Sequence, residues 1–359
     1  MFKNILYIFF VFTLIACKKD DNQDKPIDGA ADFISAVDIS ALPEIELTNP
    51  IFYNLAGAEE EFLSILKNNG VNTIRLKLWV DPQNEHAGFQ EVKTFSQRLK
   101  NLGFKVWLTL HYSDTWADPG QQLTPNQWKG IAFSSLVDSV NKYTERVMEQ
   151  MKPDYIQIGN EINSGFLHPQ GNLSTNSQQF KTLMSSAIQA VRKVSSKTKI
   201  IIHFAGLTNS SWFYNQVTDL DYDIIGLSYY PIWHGKDLAN LKNTLQSLSQ
   251  THQKDILIAE TAYPFTLDWN DWTNNIVGLN DQLILPKYPA TPQGQKEFLA
   301  DIKKIVLDEV EKGIGFCYWG AELIAWKGNQ ANDASPWENQ ALFDFSNRAL
   351  PVIEVFNTD

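Results

Sequence analysis

Cysteine is nearly absent from these 359 residues: there are two, Cys17 and Cys317. A scaffold held by intramolecular disulfides is therefore excluded if Cys17 is committed elsewhere. Cationic residues are also short. Thirty Lys and Arg against 41 Asp and Glu leave a formal charge of -11, which argues against a nucleic-acid surface and suits a neutral substrate. Neither a Gly-rich phosphate loop nor an HExxH pair occurs. What is present is 43% hydrophobic and 20% charged residues, enough to bury one large core and consistent with a single α/β barrel domain.

The longest apolar stretch is at the start. Met1-Phe2-Lys3 leads into Asn4 to Ala16, which ends abruptly at Cys17-Lys18-Lys19-Asp20-Asp21. That is too short for a comfortable membrane span and reads as a secretory signal. Leu14-Ile15-Ala16-Cys17 resembles the lipobox of bacterial lipoproteins, in which the cysteine is lipidated and becomes the new N-terminus; an ordinary signal peptide with an incidental cysteine is the alternative. The expected partition is a signal over 1–16, a flexible acidic linker over 17–30 and a catalytic domain over 31–359. Loss of Lys3 with the signal takes the charge from -11 to -12. The run Asp20-Asp21-Asn22-Gln23-Asp24 resembles the tether of surface-exposed lipoproteins, although a solvated linker can have the same composition. The expectation is an exported monomer, lipid-anchored in the outer membrane and displayed at the cell surface. Cys317, flanked by Gly315-Phe316 and Tyr318-Trp319, reads as a small buried hydrophobe.

Past residue 30 apolar, β-branched runs recur at about 33–38, 73–79, 105–111, 154–159, 199–204, 223–229, 256–260 and 315–319. Between them lie stretches with helical spacing, such as 59–67, 92–102, 132–151, 178–194, 238–249 and 294–311. Nearly continuous apolar strands alternating with helices imply a parallel sheet, and eight such units imply a closed (β/α)8 TIM barrel. A doubly wound open sheet is the structural alternative.

In such barrels the C-terminal strand ends form the active face. The polar and aromatic residues at those ends are Asp38, Arg75, His111, Asn160 with Glu161, Tyr229, Glu260 and Trp319. Strands four and seven both end in glutamate, and two carboxylates flanking one cleft are the apparatus of glycoside hydrolysis. Each residue alone has a plainer reading: Arg75 as a structural ion pair, His111 as a satisfied core histidine, Glu161 as a surface group. It is their joint placement on one face that favours chemistry.

At this point the sequence resembles a family. AVDISALPEIE after Asp32, NGVNTIRLKLWVDP at 69–82, HYSDTWADPGQQ at 111–122, QIGNEINSGFLHPQG at 157–171, GLSYYPIWHG at 226–235, AETAYP at 259–264 and FCYWGAELI at 316–324 are similar to the endo-β-1,4-galactanases of glycoside hydrolase family 53. These segments run in family order over nearly the whole mature chain. The resemblance implies β-1,4-galactan as substrate, retention of configuration, Glu161 as acid/base and Glu260 as nucleophile. It further implies that Arg75 keeps Glu260 ionised, that Asn160 contacts the sugar 2-OH, and that Tyr229 and His111 orient the network around Glu260. Trp319 would form a floor under the sugar.

Trp79, Trp116, Trp233, Trp269, Trp272 and Trp326 stand at or beyond strand ends, where indole faces can stack on pyranose rings; Asp114 and Asp118 place oxygens beside Trp116. The expected result is an open cleft for several sugars, hence internal cleavage. The loop from Asp268 to Asn275 resembles the calcium-holding loop of bacterial family members, with oxygen ligands at Asp268, Asn270 and Asn274. Trp272 stands where a ligand would be expected, however, and amides replace charge. A structural calcium ion is thus an option, and no cofactor is required for catalysis. The rivals are another glycanase of the same clan, such as a mannanase or xylanase, and a non-catalytic glycan-binding lipoprotein.

Overall fold

A computed structural model describes residues 33–357. The expected signal, the whole of the linker with Cys17, and residues 31–32 lie outside the described residues. Each apolar run becomes a strand covered on both faces: β1 Ile34–Asp38, β2 Thr73–Leu78, β3 Lys105–Leu110, β4 Tyr155–Ile158, β5 Lys199–Ala205, β6 Ile224–Ser228, β7 Asp255–Thr261 and β8 Gly313–Trp319. All pairings are parallel, neighbours in sequence are neighbours in space, and β8 returns to β1, opposite Ile34 to Asp38. The sheet is closed, which removes the open doubly wound alternative.

Helices cover the outside: α1 Leu42–Glu46, α2 Phe62–Asn68, α3 Phe89–Asn101, α4 Phe133–Met151, α5 Ser177–Val194, α6 Ser210–Gln216, α7 Pro231–His234, α8 Leu238–His252 and α9 Pro292–Lys304. Helix α4 shows why they form. Leu136, Val140, Tyr143, Thr144, Val147, Met148 and Met151 recur at three- and four-residue spacing and are all buried, so one stripe packs on the barrel while polar positions face water. Helix α6 is not among the stretches read from the sequence, since its buried positions Ser210, Phe213 and Tyr214 include only two large apolar side chains and display no period. None of the described helices is long and apolar enough to cross a membrane.

Inside the barrel, alternation along the strands sorts side chains by height. Ile34, Ala36, Trp107, Tyr155, Ile201, Ile224, Leu257, Ala259 and Cys317 form a separate inner apolar cluster. Cys317 is fully buried, as expected of a small hydrophobe. One strand step beyond this plug, the same inward positions are polar: Asp38 after Ala36, His203 after Ile201 and Gln157 after Tyr155, with Arg75 beside them.

Strand β7 breaks the alternation where it matters. Ile256 and Ile258 pack in the outer layer, and Leu257 and Ala259 in the inner one, so strict period-two geometry would turn Glu260 outward. The register slips instead. Leu227 pairs with Ile258, but the next residue, Ser228, pairs with Glu260, and the β8 side shifts after Ile258 as well. The extra residue, Ala259, re-aims the strand end as a bulge does, and Glu260 arrives beside Arg75 on the interior side.

Candidate active site

The end of β4 positions the first carboxyl group. Gly159 has φ +77, and a Cβ there would lie 2.4 Å from Ile162 Cγ2, so only glycine fits. Glu161 itself has φ +47, a left-handed conformation that few non-glycine residues adopt and that tends to persist at functional sites. The turn sends Asn160 into the barrel and Glu161 to its mouth. There, one carboxylate oxygen from each of Glu161 and Glu260 and one ring nitrogen of His203 all lie within 4.8 Å of one another.

Arg75 organises the floor. Its guanidinium reaches Asp38 Oδ2 at 2.7 Å, Glu260 Oε1 at 2.8 Å and Asn160 Oδ1 at 2.8 Å, and it lies over the Trp107 ring at 5.4 Å. The planar fork suits such multiple pairing. Burial works against its charge, yet Glu260 and Asp38 more than offset this, and its pKa rises above the ordinary value. Asn160 donates one amide hydrogen to Ala117 O at 2.9 Å, which leaves the second for a ligand in the cleft.

The two glutamates differ in their donors. Glu161 Oε1 accepts from Ser228 Oγ at 2.5 Å. Glu260 receives Arg75 and also the Tyr230 hydroxyl, at 3.0 Å on Oε2. Burial lifts the Glu161 carboxyl to about 8, with the charge of Glu260 adding to the effect and Ser228 and Arg75 opposing it. Burial raises Glu260 too; Arg75 is the main opposing influence, and Tyr230 helps it against Asp38. With two donors against one, Glu260 ionises first and Glu161 keeps the shared proton.

His203 extends the Glu161 side. Its Nε2 lies 2.9 Å from Ser228 Oγ and its Nδ1 3.0 Å from the Gln157 amide nitrogen. Burial depresses its pKa well below the usual histidine value, so the ring is neutral. With the proton on Nε2 it donates to Ser228, which is left to donate to Glu161.

Around these groups lies a cleft of about 460 Å³ lined by Trp116, Asp118, Asn160, Glu161, Tyr230, Trp233, Glu260, Trp319 and Trp337 among others. Trp319 packs edge-on against Trp337 at 4.7 Å and near Trp116 at 6.0 Å, and Trp233 extends the wall beyond Trp337 at 6.2 Å. Several indole faces thus bound one trough.

Most expected site residues meet here: Arg75, Trp116, Asp118, Asn160, Glu161, Glu260 and Trp319. Others do not. Tyr229 is corrected to Tyr230: the Tyr229 hydroxyl donates to Gly235 O at 2.8 Å, and only its backbone N–H reaches Glu260, at the carbonyl. Strand parity carried the signal, since Gly226, Ser228 and Tyr230 share a face. His111 does not touch either glutamate; its Nδ1 accepts the Ala117 N–H at 3.2 Å and its ring packs against Trp79 and Trp116. Asp114 braces loops by accepting the N–H groups of Asp81 and Asn126. Trp79 lies behind Trp116, while Trp269 and Trp272 stay exposed outside the cleft lining. Sequence reasoning missed Tyr230, Ser228, His203 and Gln157, the last two legible as lone polar residues in apolar runs. It also missed Trp337, which comes from a distant loop.

The calcium expectation fits poorly. Asp268 and Asn274 are exposed, and Asp268 joins no cluster of acidic, histidine or cysteine groups able to share an ion among the described residues. The loop is tied instead by Glu338 Oε1, which accepts from the N–H groups of Asn270 and Asp271, and by the Trp272 N–H on Ala331 O.

A half-buried and a buried carboxyl group with separated proton affinities, facing each other in an aromatic trough at the mouth of a parallel barrel, define a glycoside hydrolase. Comparison with known proteins agrees. The profile of glycosyl hydrolase family 53 matches residues 34–356. An arabinogalactan endo-β-1,4-galactanase from Cellvibrio japonicus is 32% identical over 92% of this chain and 93% of its own. A family 53 catalytic domain from Ignisphaera aggregans superposes with a TM-score of 0.85 at 39% identity, covering 93% of this chain and 98% of that one. A solved structure from work on two fungal β-1,4-galactanases gives 0.77 at 28% identity, over 90% and 98%. The chain belongs to glycosyl hydrolase family 53.

Proposed function

We propose that the protein hydrolyses internal β-1,4-galactosidic bonds of galactan, the unbranched core of type I arabinogalactan side chains, with retention of configuration. The observation that carries retention is the approach of Glu161 and Glu260 oxygens to within 4.8 Å. That leaves no room for a water between carboxylate and sugar, whereas inverting enzymes keep their carboxyl groups roughly 6.5–9.5 Å apart. Glu161, holding the proton near neutrality, protonates the leaving oxygen. Glu260, ionised and aimed by Arg75 and Tyr230, attacks the anomeric carbon to form a glycosyl-enzyme. Glu161 then takes a proton from water, which cleaves that ester and restores both groups. Asn160 offers its second amide hydrogen to the 2-OH, where the contact tightens as positive charge develops on the sugar ring. Galactan as substrate is supported by the names of the relatives above, and internal cleavage by the open aromatic trough. No step calls for a cofactor.

The test is incubation with linear β-1,4-galactan, β-mannan and xylan, followed by proton NMR of the galactan digest before mutarotation. Reducing ends from galactan alone, appearing first as the β anomer, are expected. An α anomer appearing first overturns the retaining reading, and preference for mannan or xylan overturns the substrate.

We further propose export as a monomeric lipoprotein anchored in the outer membrane through Cys17 and displayed at the cell surface. The support is the Leu14-Ile15-Ala16-Cys17 sequence and the acidic run behind it. Membrane fractionation of Cys17→Ser should find the variant released, and protease shaving of intact cells should remove the wild type.

A further inference from the structure

We propose that Lys77 is a positioning residue for the glycosidic reaction: its ammonium fixes the Trp116 indole at the cleft and completes a buried charge ladder that leaves Arg75 to serve Glu260. The inference rests on Glu260 as nucleophile.

Lys77 follows Arg75 by two residues on β2 and so shares its inward face. It is 6% exposed, and its ammonium makes no hydrogen bond or ion pair among the described residues. It lies instead 4.3 Å from the centre of the Trp116 ring and 5.1 Å from that of Trp79. A cation this close to two indoles set at 79° to each other is a cation–π arrangement, and Trp116 is the member that lines the cleft. The ammonium thus contacts the platform without itself lining the cleft.

The ladder is read from the same neighbours. Glu260 pairs with Arg75 and Arg75 with Asp38. Asp38 Oδ1 accepts from Ser40 Oγ at 2.6 Å, and Ser40 Oγ in turn accepts the Lys77 backbone N–H at 2.8 Å. Burial lowers the Lys77 pKa, and the carboxylates that oppose this are Asp38 first, then Glu322 on the loop after β8, Glu44 on α1 and Glu91 on α3; burial, Arg75 and Lys77 together depress His111 after β3. Burial, with Asp38 adding to it, raises the Glu322 carboxyl to about 8, while the Ala41 N–H and Lys77 oppose the rise. The inner ladder of Glu260, Arg75, Asp38 and Lys77 thus sets two basic groups against two acidic ones. Without Lys77, two carboxylates share one guanidinium in a dry interior, and Glu260 becomes harder to ionise. Glu260 is faced by Arg75 on β2, Asp38 on β1, Tyr230 after β6, Glu161 after β4 and His203 on β5, none of which can replace the lost charge.

The experiment compares Lys77→Met and Lys77→Arg with the wild type on linear galactan, reading kcat, KM and the pH dependence of kcat/KM. In Lys77→Met, KM should rise roughly tenfold with a much smaller change in kcat at the optimum. Its acidic limb should move up by about one pH unit. Lys77→Arg, which keeps charge and stacking, should restore both. Should Lys77→Met fold poorly, Lys77→Gln removes the charge while keeping a polar side chain at the site, and the same two readouts apply. Unmoved KM and acidic limb in either folded variant overturn the proposal, as does a limb that shifts equally in Lys77→Arg. An active Glu260→Gln variant would instead refute the nucleophile on which the inference rests.

Discussion

The Tyr230 hydroxyl donates to Glu260 Oε2 at 3.0 Å, while its neighbour Tyr229 turns away and donates to the Gly235 carbonyl at 2.8 Å. Two adjacent tyrosines after β6 thus take different tasks. Tyr230 continues the inward face of Ser228 and aims the second carboxylate; Tyr229 is fully buried and closes its own loop.

Tyr230→Phe should therefore lower kcat/KM roughly 10- to 100-fold, the cost of one hydrogen bond to a charged group. The Tyr230 hydroxyl lowers the Glu260 pKa, so its loss raises that pKa and shifts the acidic limb of the profile to higher pH. Tyr229→Phe should leave both the limb and the rate close to wild type. Steady-state kinetics across pH on the pair of variants makes the check, and equal effects would undo the division of labour.

The alkaline limb of kcat/KM should have its midpoint near 8, where Glu161 loses the proton it must donate. Ser228 donates to the ionised form and pulls that pKa down. In Ser228→Ala the midpoint should move up by roughly half to one pH unit. A downward shift would mean that Ser228 accepts from Glu161 instead.

Glu161→Ala should lose roughly 10²- to 10⁴-fold on galactan, because the leaving oxygen is no longer protonated. An aryl galactooligosaccharide with a good leaving group does not need that proton in the first step. The variant should still accumulate the glycosyl-enzyme, detectable by mass spectrometry on Glu260, and added azide should turn it over to a β-azide. Label on any other carboxylate would reassign the nucleophile.

Gly159→Ala combines a clash at 2.4 Å with a positive φ. A loss of about 2–4 kcal/mol in urea unfolding is expected, with activity falling further than stability alone explains, since the same turn carries Asn160 and Glu161. Full activity with unchanged stability would show that the turn relaxes freely.

Much of the fold was readable because barrel strands are covered on both faces: the eight apolar runs coincide with β1 to β8 within a few residues, and composition alone carries that signal. Asn160, Glu161 and Glu260 were readable as well, since polar groups that end apolar strands have few structural reasons to be there. Local pattern could not say where those ends point. Period two turns Glu260 outward, and only the slip of β7 against β6, a long-range register, brings it in. Strand parity could have separated Tyr230 from Tyr229, but the Gly235 carbonyl and the Glu260 carboxylate that occupy the two hydroxyls are tertiary partners. Trp337 reaches the trough from a loop well past β8, and Lys77 lies against two indoles, Trp79 just after β2 and Trp116 in the loop after β3. These contacts depend on which side chains share a closed volume, and a linear chain carries no direct record of that.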